Sequence, residues 1–280
     1  MSDETDIRNR ENTIENNVIL FPDYEKLKKE VERLKTELSM RLYEYDELRL
    51  VVCKNIEAEY LRELGGLEYQ IFETECIVRR LMRKVDLIQA RINRQEPVNV
   101  TEIEAVLEEE FLVYQQQLDE MIGKINKAIE YGDKKRLSDA DDREIKKLYR
   151  SIVKALHPDL HPNQSQERME LFHNAVRAYE HGDLAMIRLI HSIVSGRQDA
   201  DAENKDPMTL LREEKVRIEK SLETIEEKTE EVKSKYPYTM REILEDKEKF
   251  RAKREEYETL LTEYREKEKR YRERVESLLQ

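Results

Sequence analysis

The longest regular feature of this sequence is a stripe of apolar side chains that begins at Tyr24 and ends near Ile92. Its members follow one another mostly at steps of three and four residues, a spacing that places side chains on one face of an α-helix. Glutamate and lysine fill the other faces, as they do in a coiled coil. The stripe continues in register across Gly65-Gly66, so we expect one long helix with a weak point there. A two-residue hairpin at the glycines is the alternative. The stripe comprises Tyr24, Leu27, Val31, Leu34, Leu38, Leu42, Tyr45, Leu48, Val52, Ile56, Tyr60, Leu64, Leu67, Ile71, Val78, Leu81, Val85, Ile88 and Ile92.

Composition agrees with long exposed helices. Charged residues make up 41% of the chain, and it has only six glycines, six prolines and no tryptophan. Because a typical globular domain carries about a quarter charged residues, much of this chain cannot be buried. We therefore expect an all-α protein and not a compact α/β enzyme.

A second helix is expected from residue 102 to about 131. Gln95-Glu96-Pro97 ends the first helix, and Thr101 with Glu104 has the spacing of a capping box. A short connection between two long helices favours antiparallel packing, so this helix should return over the preceding one. Its apolar face should consist of Ile103, Val106, Leu107, Phe111, Tyr114, Leu118, Met121, Ile125 and Ile129.

Two further helices are expected in residues 207–280. Pro207 suits the first helical position, and Asp206 before it is the expected cap. Pro237 breaks that helix, and Thr239 with Glu242 marks the start of the last one. Both carry apolar stripes, so we predict that they pair as a C-terminal coiled-coil hairpin.

Between these regions lies a pair of short helices joined by a polar loop. In the first, Arg143–Leu156, one face is apolar and another is basic. Ser138 is the expected N-cap, and Pro158 ends the helix because the residue before a proline avoids the α conformation. The apolar face consists of Ile145, Leu148, Ile152 and Leu156, the basic face of Arg143, Lys147, Arg150 and Lys154, and the inner face of the second helix of Met169, Phe172, Val176 and Tyr179.

This pattern, over residues 138–185, resembles the J-domain of DnaJ-type co-chaperones. The similarity is carried by REIKKLYRSIVKALHPD and by Phe172 followed by Ala178-Tyr179-Glu180. It implies two antiparallel helices whose loop and basic face dock on a DnaK-type (seventy-kilodalton) heat-shock chaperone and stimulate its ATP hydrolysis. The implied chaperone-binding residues are His157, Pro158 and Asp159 in the loop and Lys146, Lys147, Tyr149, Arg150 and Lys154 on the helix.

The sequence departs from the family at both ends of this region. A J-domain begins with a helix carrying a Tyr-Tyr-x-x-Leu-Gly-like signature, which this chain lacks. Ile125, Ile129 and Tyr131 are the candidates for a substitute packing surface. The second helix is a candidate to continue through Val194, and the usual fourth helix and any glycine/phenylalanine-rich or zinc-binding region are absent.

The charge of the chain limits the kinds of partner that it is expected to bind. The net charge of −12 argues against nucleic-acid binding, which needs concentrated positive charge. From Arg143 to Leu156, however, five positive side chains accompany one negative side chain. Such a local reversal should steer an acidic surface towards the helix in a salt-dependent manner.

Other sites and locations are disfavoured. His157 and His161 are each followed by proline, so they cannot face one zinc ion from successive helical turns. No nucleophile–base set or phosphate-binding glycine loop is present, so we expect no catalysis and no cofactor. No run approaches the roughly 18 apolar residues that span a bilayer. Cys53 and Cys76 lack metal-ligand spacing, and the polar N-terminus is no secretion signal, which favours reduced thiols in the cytoplasm.

Two functions remain open. One is a J-domain-like co-chaperone whose coiled-coil arms bind or position a client protein. The other is a scaffolding coiled-coil protein in which the J-like hairpin is only a packing module. Self-association through the coiled coil is expected in both cases. The expected organisation is a disordered tail at 1–22, a long antiparallel helical region at 23–132, the J-like module at 133–196, a linker at 197–206 and the C-terminal hairpin at 207–280.

Overall fold

A computed structural model describes residues 22–133, 137–195 and 207–280 of the chain. All regular elements in these ranges are helical and none is a strand, so the predicted all-α class is confirmed. Residues 1–21 of the expected tail and the linker at 197–206 lie outside them. Within the described ranges, no helix combines the length and apolar character needed to cross a membrane. The helices are α1 (Pro22–Glu47), α2 (Cys53–Glu63), α3 (Gly65–Asn93), α4 (Val100–Asp133), α5 (Asp139–Leu156), α6 (Gln166–Glu180), α7 (Leu184–Ser195), α8 (Pro207–Ser234), α9 (Arg241–Glu245) and α10 (Lys247–Leu279).

The first three helices follow one another as a segmented spine. α2 and α3 are separated only by Leu64, whose backbone leaves the helical region at φ −121° and ψ −19°. α4 packs antiparallel along both of them: Tyr131 donates to Asn55 at 3.1 Å near one end, and Arg83 pairs with Glu110 at 2.8 Å near the other. Because one helix spans both segments, the hairpin alternative at the glycines is wrong and the expected weak point is a helix break.

A π-helical turn from Leu48 to Val52 joins α1 to α2 and was not expected. A π turn contains an extra residue, so it rotates the buried face of the helix that follows. Leu48 and Val52, which the heptad-like spacing places in the seam, are only half-buried. Leu50 and Cys53 are buried instead.

The C-terminal helices pack along the spine. α8 lies beside α1, with Lys215 paired to Glu30 at 2.8 Å, and α10 lies beside α3, with Tyr257 donating to Glu68 at 2.7 Å. Residue numbers rise together in both pairs, so the helices are parallel. The C-terminal hairpin predicted for 207–280 is therefore wrong. Ile218 and Ile225 are buried in the apolar cluster that includes residues of α1, and Val275 is buried in a cluster with Ile88 of α3 and Ile103 and Leu107 of α4.

Two helix starts also differ from the sequence prediction. The side chain of Asn99 caps α4 by accepting from the Thr101 amide at 3.1 Å, while Glu104 pairs with Arg80 across the α3–α4 interface. The last long helix starts at Asp246, which accepts from two backbone amides. Asparagine and aspartate are strong N-caps, and a capping-box spacing alone does not exclude a better cap nearby.

The J-like module has three helices, α5 to α7. The second helix does not continue through Val194 as expected, because Gly182 takes a left-handed conformation with φ +68° that ends α6. Asp183 then accepts from the Met186 amide at 2.9 Å and starts α7. α7 folds back onto α5, where Arg188 forms a two-bond ion pair with Glu144.

Candidate docking site at the His157-Pro158-Asp159 corner

Helix α5 presents a buried face and a basic face on opposite sides. Ser138 caps its first turn, as predicted, by accepting from the Asp141 amide at 3.1 Å. Acidic residues in that turn suit the positive end of the helix dipole. The buried face is apolar and consists of Ile145, Tyr149, Ile152, Val153 and Leu156, and the exposed face carries Arg143, Lys147, Arg150 and Lys154.

The corner itself is held by its histidine. His157 is extended with ψ 132°, as expected for a residue before proline, and its Nδ1 accepts from the Asp159 amide at 3.1 Å. Its ring packs edge-on against Phe172, with 5.0 Å between ring centroids. Burial lowers the pKa of His157 to about 4. The imidazole is therefore neutral at physiological pH, which leaves Nδ1 able to accept, and the exposed side chain of Asp159 faces solvent.

Three side chains beyond the corner satisfy the last carbonyls of α5. His161 Nε2 lies 2.9 Å from the Lys154 oxygen, Gln164 donates to the Leu156 oxygen at 2.8 Å, and Arg168 donates to the Ala155 oxygen at 2.9 Å. A helix leaves its final carbonyls without intrahelical partners, so these contacts fix how the corner leaves the helix. This role of Gln164 and Arg168 was not predicted from the sequence. In the described part of the chain, no group of three or more potential ligands could hold a metal ion.

The predicted docking residues do not all share the exposed face. Lys147, Arg150 and Lys154 are exposed and Lys146 is half-buried. Tyr149 is fully buried at 0% exposure, so its assignment to the docking face is wrong in this structure. Its hydroxyl donates to Asp46 of α1 at 2.7 Å, because that carboxylate needs a donor once it is removed from water.

A tyrosine cluster joins the module to the spine. The rings of Tyr149 and Tyr179 stack with centroids 4.0 Å apart, and Tyr43 of α1 packs at 6.4 Å and 6.5 Å from them. All three side chains are buried. Such ring contacts stabilise a core beyond the area that they remove from water.

α1 thus supplies the packing surface that the module lacks. Of the expected substitutes on α4, Ile125 faces Gly65, Ile129 is 44% exposed and Tyr131 donates to Asn55 of α2. The substitute lies about a hundred residues upstream of the corner, where no local pattern marks it.

Helix α8 also reaches the corner. Arg217 donates a hydrogen bond to the backbone carbonyl of Asp159, and the charge of Lys228 adds to the lowering of the His157 pKa that burial causes. Burial of the Asp46 carboxyl raises its pKa, and the hydrogen bond from Tyr149 offsets only part of that rise.

Comparison with known proteins gives one short similarity. The chain is 51% identical over 41 residues to the chaperone protein DnaJ of Thermoplasma acidophilum. The match covers 15% of this chain and 11% of that protein, so the chain corresponds to only a small part of its relative. No family model and no solved structure matches. The similarity supports a J-domain-like region and, at most, a J-domain-like chaperone cofactor.

Proposed function

We propose that this protein is a J-domain-like co-chaperone that docks on a DnaK-type heat-shock chaperone and stimulates its ATP hydrolysis. The observation that carries the proposal is the corner at the tip of the α5–α6 pair. It exposes the side chain of Asp159 at the end of a helix whose solvent face is basic. A cationic stripe of this kind favours encounter with an acidic partner surface.

The remaining functional expectations belong to the same proposal. The protein acts on the partner's ATP hydrolysis, is not itself an enzyme and works in the cytoplasm. Its helical arms bind or position a client protein, and copies of the chain associate through those arms. Exposed apolar side chains on α4, including Leu112 at 58% and Val113 at 59% exposure, are consistent with such contacts.

ATP turnover by a DnaK-type chaperone tests the docking proposal. The full-length protein should increase turnover, and Asp159→Asn should remove the increase because it replaces the exposed carboxylate without changing the size of the side chain. Asp139→Asn makes the same chemical change at the other end of α5 and should leave the increase intact. Stimulation that survives Asp159→Asn, or that is lost equally in both variants, would contradict the assigned role of the corner.

A scaffolding role is the second candidate, and one observation favours it. Tyr149 is buried against α1, and Lys146 is paired with Glu47 of the same helix at 3.0 Å. The only role of a module fixed in this way would be to hold the helices of the spine together. No stimulation by the folded wild-type protein would favour this role.

A further inference from the structure

Three neighbouring side chains of α1 contact the flank of α5. Glu47 forms an ion pair with Lys146 at 3.0 Å, Asp46 accepts from Tyr149 at 2.7 Å, and the guanidinium of Arg150 lies 4.5 Å from the centroid of the Tyr43 ring. We call Tyr43, Asp46 and Glu47 the α1 cover. Two of its contacts fall on Lys146 and Arg150, which are assigned to chaperone docking, and the third falls on the buried Tyr149 that lies between them.

A fourth contact reaches the corner from α8. Arg217 donates to the Asp159 carbonyl and is also paired with Glu214 at 3.4 Å. Glu214 in turn pairs with Lys35 of α1 at 3.0 Å. The α8 contact is therefore linked to α1 through Lys35, and it and the cover both involve helices of the parallel α1–α8 pair.

The chemistry of the α1 cover resembles that expected of an external partner. A carboxylate meets a lysine and an aromatic ring meets a guanidinium, which are the interactions that an acidic protein surface would offer to the same face. Glu47 raises the pKa of Lys146, so the pairing strengthens the cationic state of that side chain. In contrast, Arg143, Lys147 and Lys154 have no ion-pair partner within the described residues and remain accessible.

The geometry points to an autoinhibitory contact: the α1 cover occupies one edge of the docking face, and full chaperone docking requires that edge to be released. This inference rests on the proposed co-chaperone function. A protein with a closed and an open state stimulates its partner in proportion to the open fraction. The exposed cations of α5 provide the first encounter, and release of the edge then frees Lys146 from Glu47 and Arg150 from the Tyr43 ring.

Charge reversal at Glu47 is the sharpest test. Glu47→Arg places a cation against Lys146, whereas Glu44→Arg makes the same change on the exposed side of α1, where Glu44 is paired with Arg41. At equal concentrations, Glu47→Arg should increase stimulation of ATP turnover about fivefold over the wild type, the factor that roughly 1 kcal/mol supplies, and Glu44→Arg should match the wild type. Arg217→Gln, which leaves α1 intact, is a second variant that should also increase stimulation.

A distance measurement reports release without the chaperone. Spin labels at Met40→Cys and Ser151→Cys, both exposed positions, would be placed in a Cys53→Ala/Cys76→Ala background. Electron–electron distances in the wild type should give one narrow population, and Glu47→Arg should add a slightly longer one, because the edge opens while the tyrosine cluster holds α1 on α5. Circular dichroism checks that each variant is folded.

The distance measurement and the ATP-turnover assay together distinguish the autoinhibitory contact from the co-chaperone function. A longer distance together with increased stimulation supports the inference. Stimulation by the wild type that neither Glu47→Arg nor Arg217→Gln increases would overturn the autoinhibitory contact and leave the co-chaperone function standing. A longer distance with no stimulation by any folded variant would overturn the co-chaperone function, and the regulatory role with it.

Discussion

Tyr149→Phe isolates the contribution of one buried hydrogen bond between the spine and the J-like module. The substitution keeps the ring that stacks on Tyr179 at 4.0 Å and removes only the hydroxyl that donates to Asp46. Asp46 is 6% exposed, so its carboxylate cannot replace that donor with bulk water. Loss of the donor leaves the buried carboxylate with only the more distant guanidinium of Arg49, at 3.9 Å, among the described residues. Loss of a hydrogen bond to a buried acceptor costs roughly 1–3 kcal/mol, and we expect the free energy of unfolding at pH 7 to fall by about that amount.

The loss should depend on pH with a definite sign. Burial already raises the pKa of Asp46 above its unfolded value, and removal of the Tyr149 donor should raise it further. A carboxyl with a raised folded pKa binds its proton more tightly in the folded state. Its contribution to stability is therefore present at low pH and is lost as the pH rises through the folded pKa. Consequently, the difference between wild type and Tyr149→Phe should be largest near pH 7 and should shrink on acidification.

Urea unfolding at pH 7 and about pH 4.5 measures this difference directly. Taking the difference between the two proteins at each pH cancels the carboxylates that titrate in both. Tyr45→Phe is the matched control, since the Tyr45 side chain is half-buried and its hydroxyl makes no hydrogen bond in the part of the chain that the structure describes. An equal loss at both pH values, or no loss at pH 7, would refute the assigned hydrogen bond and the burial of Asp46.

Substitutions at three glycines test the backbone of the spine and module, each by urea unfolding at pH 7. Gly66→Ala should raise the free energy of unfolding by about 0.5–1 kcal/mol, because an added methyl group in that helix meets nothing within 4 Å. Gly65→Ala should gain less or lose stability, since its Cβ would lie 3.2 Å from Ile125; an equal gain at both positions would count against α4 packing on the break. Gly182→Ala should cost about 1–2 kcal/mol, because Gly182 is left-handed, and an unchanged stability would argue against that turn.

Local rules predicted the parts of the site that depend on neighbouring residues. The Ser138 cap, the opposite faces of α5 and the extended conformation of His157 before Pro158 all follow from interactions within one or two helical turns. The backbone conformation of the corner was therefore predictable from its own residues and their near neighbours.

These local rules do not predict which helices pack against one another. An apolar stripe shows that a helix needs a partner, but not which helix supplies it, so the sequence could not predict that α8 and α10 lie along the spine. Tyr43 and Asp46 fall outside the seam expected for α1, and the π turn that follows moves the seam itself. The burial of Tyr149 depends on both features, which explains why a residue assigned to the docking face lies in the core.

The position of α1 constrains how the docking face can open. Complete removal of α1 would expose Tyr149 and Tyr179 and leave the Asp46 hydrogen bond unmade, at a cost that a marginally stable domain cannot sustain. Glu47, in contrast, lies at the edge of the contact, with its side chain 26% exposed and its partner Lys146 34% exposed. Since a partly exposed ion pair contributes little to folding, Glu47→Arg should change stimulation far more than it changes stability. Loss of stability equal to that of Tyr149→Phe would mean instead that the edge and the tyrosine cluster separate only together.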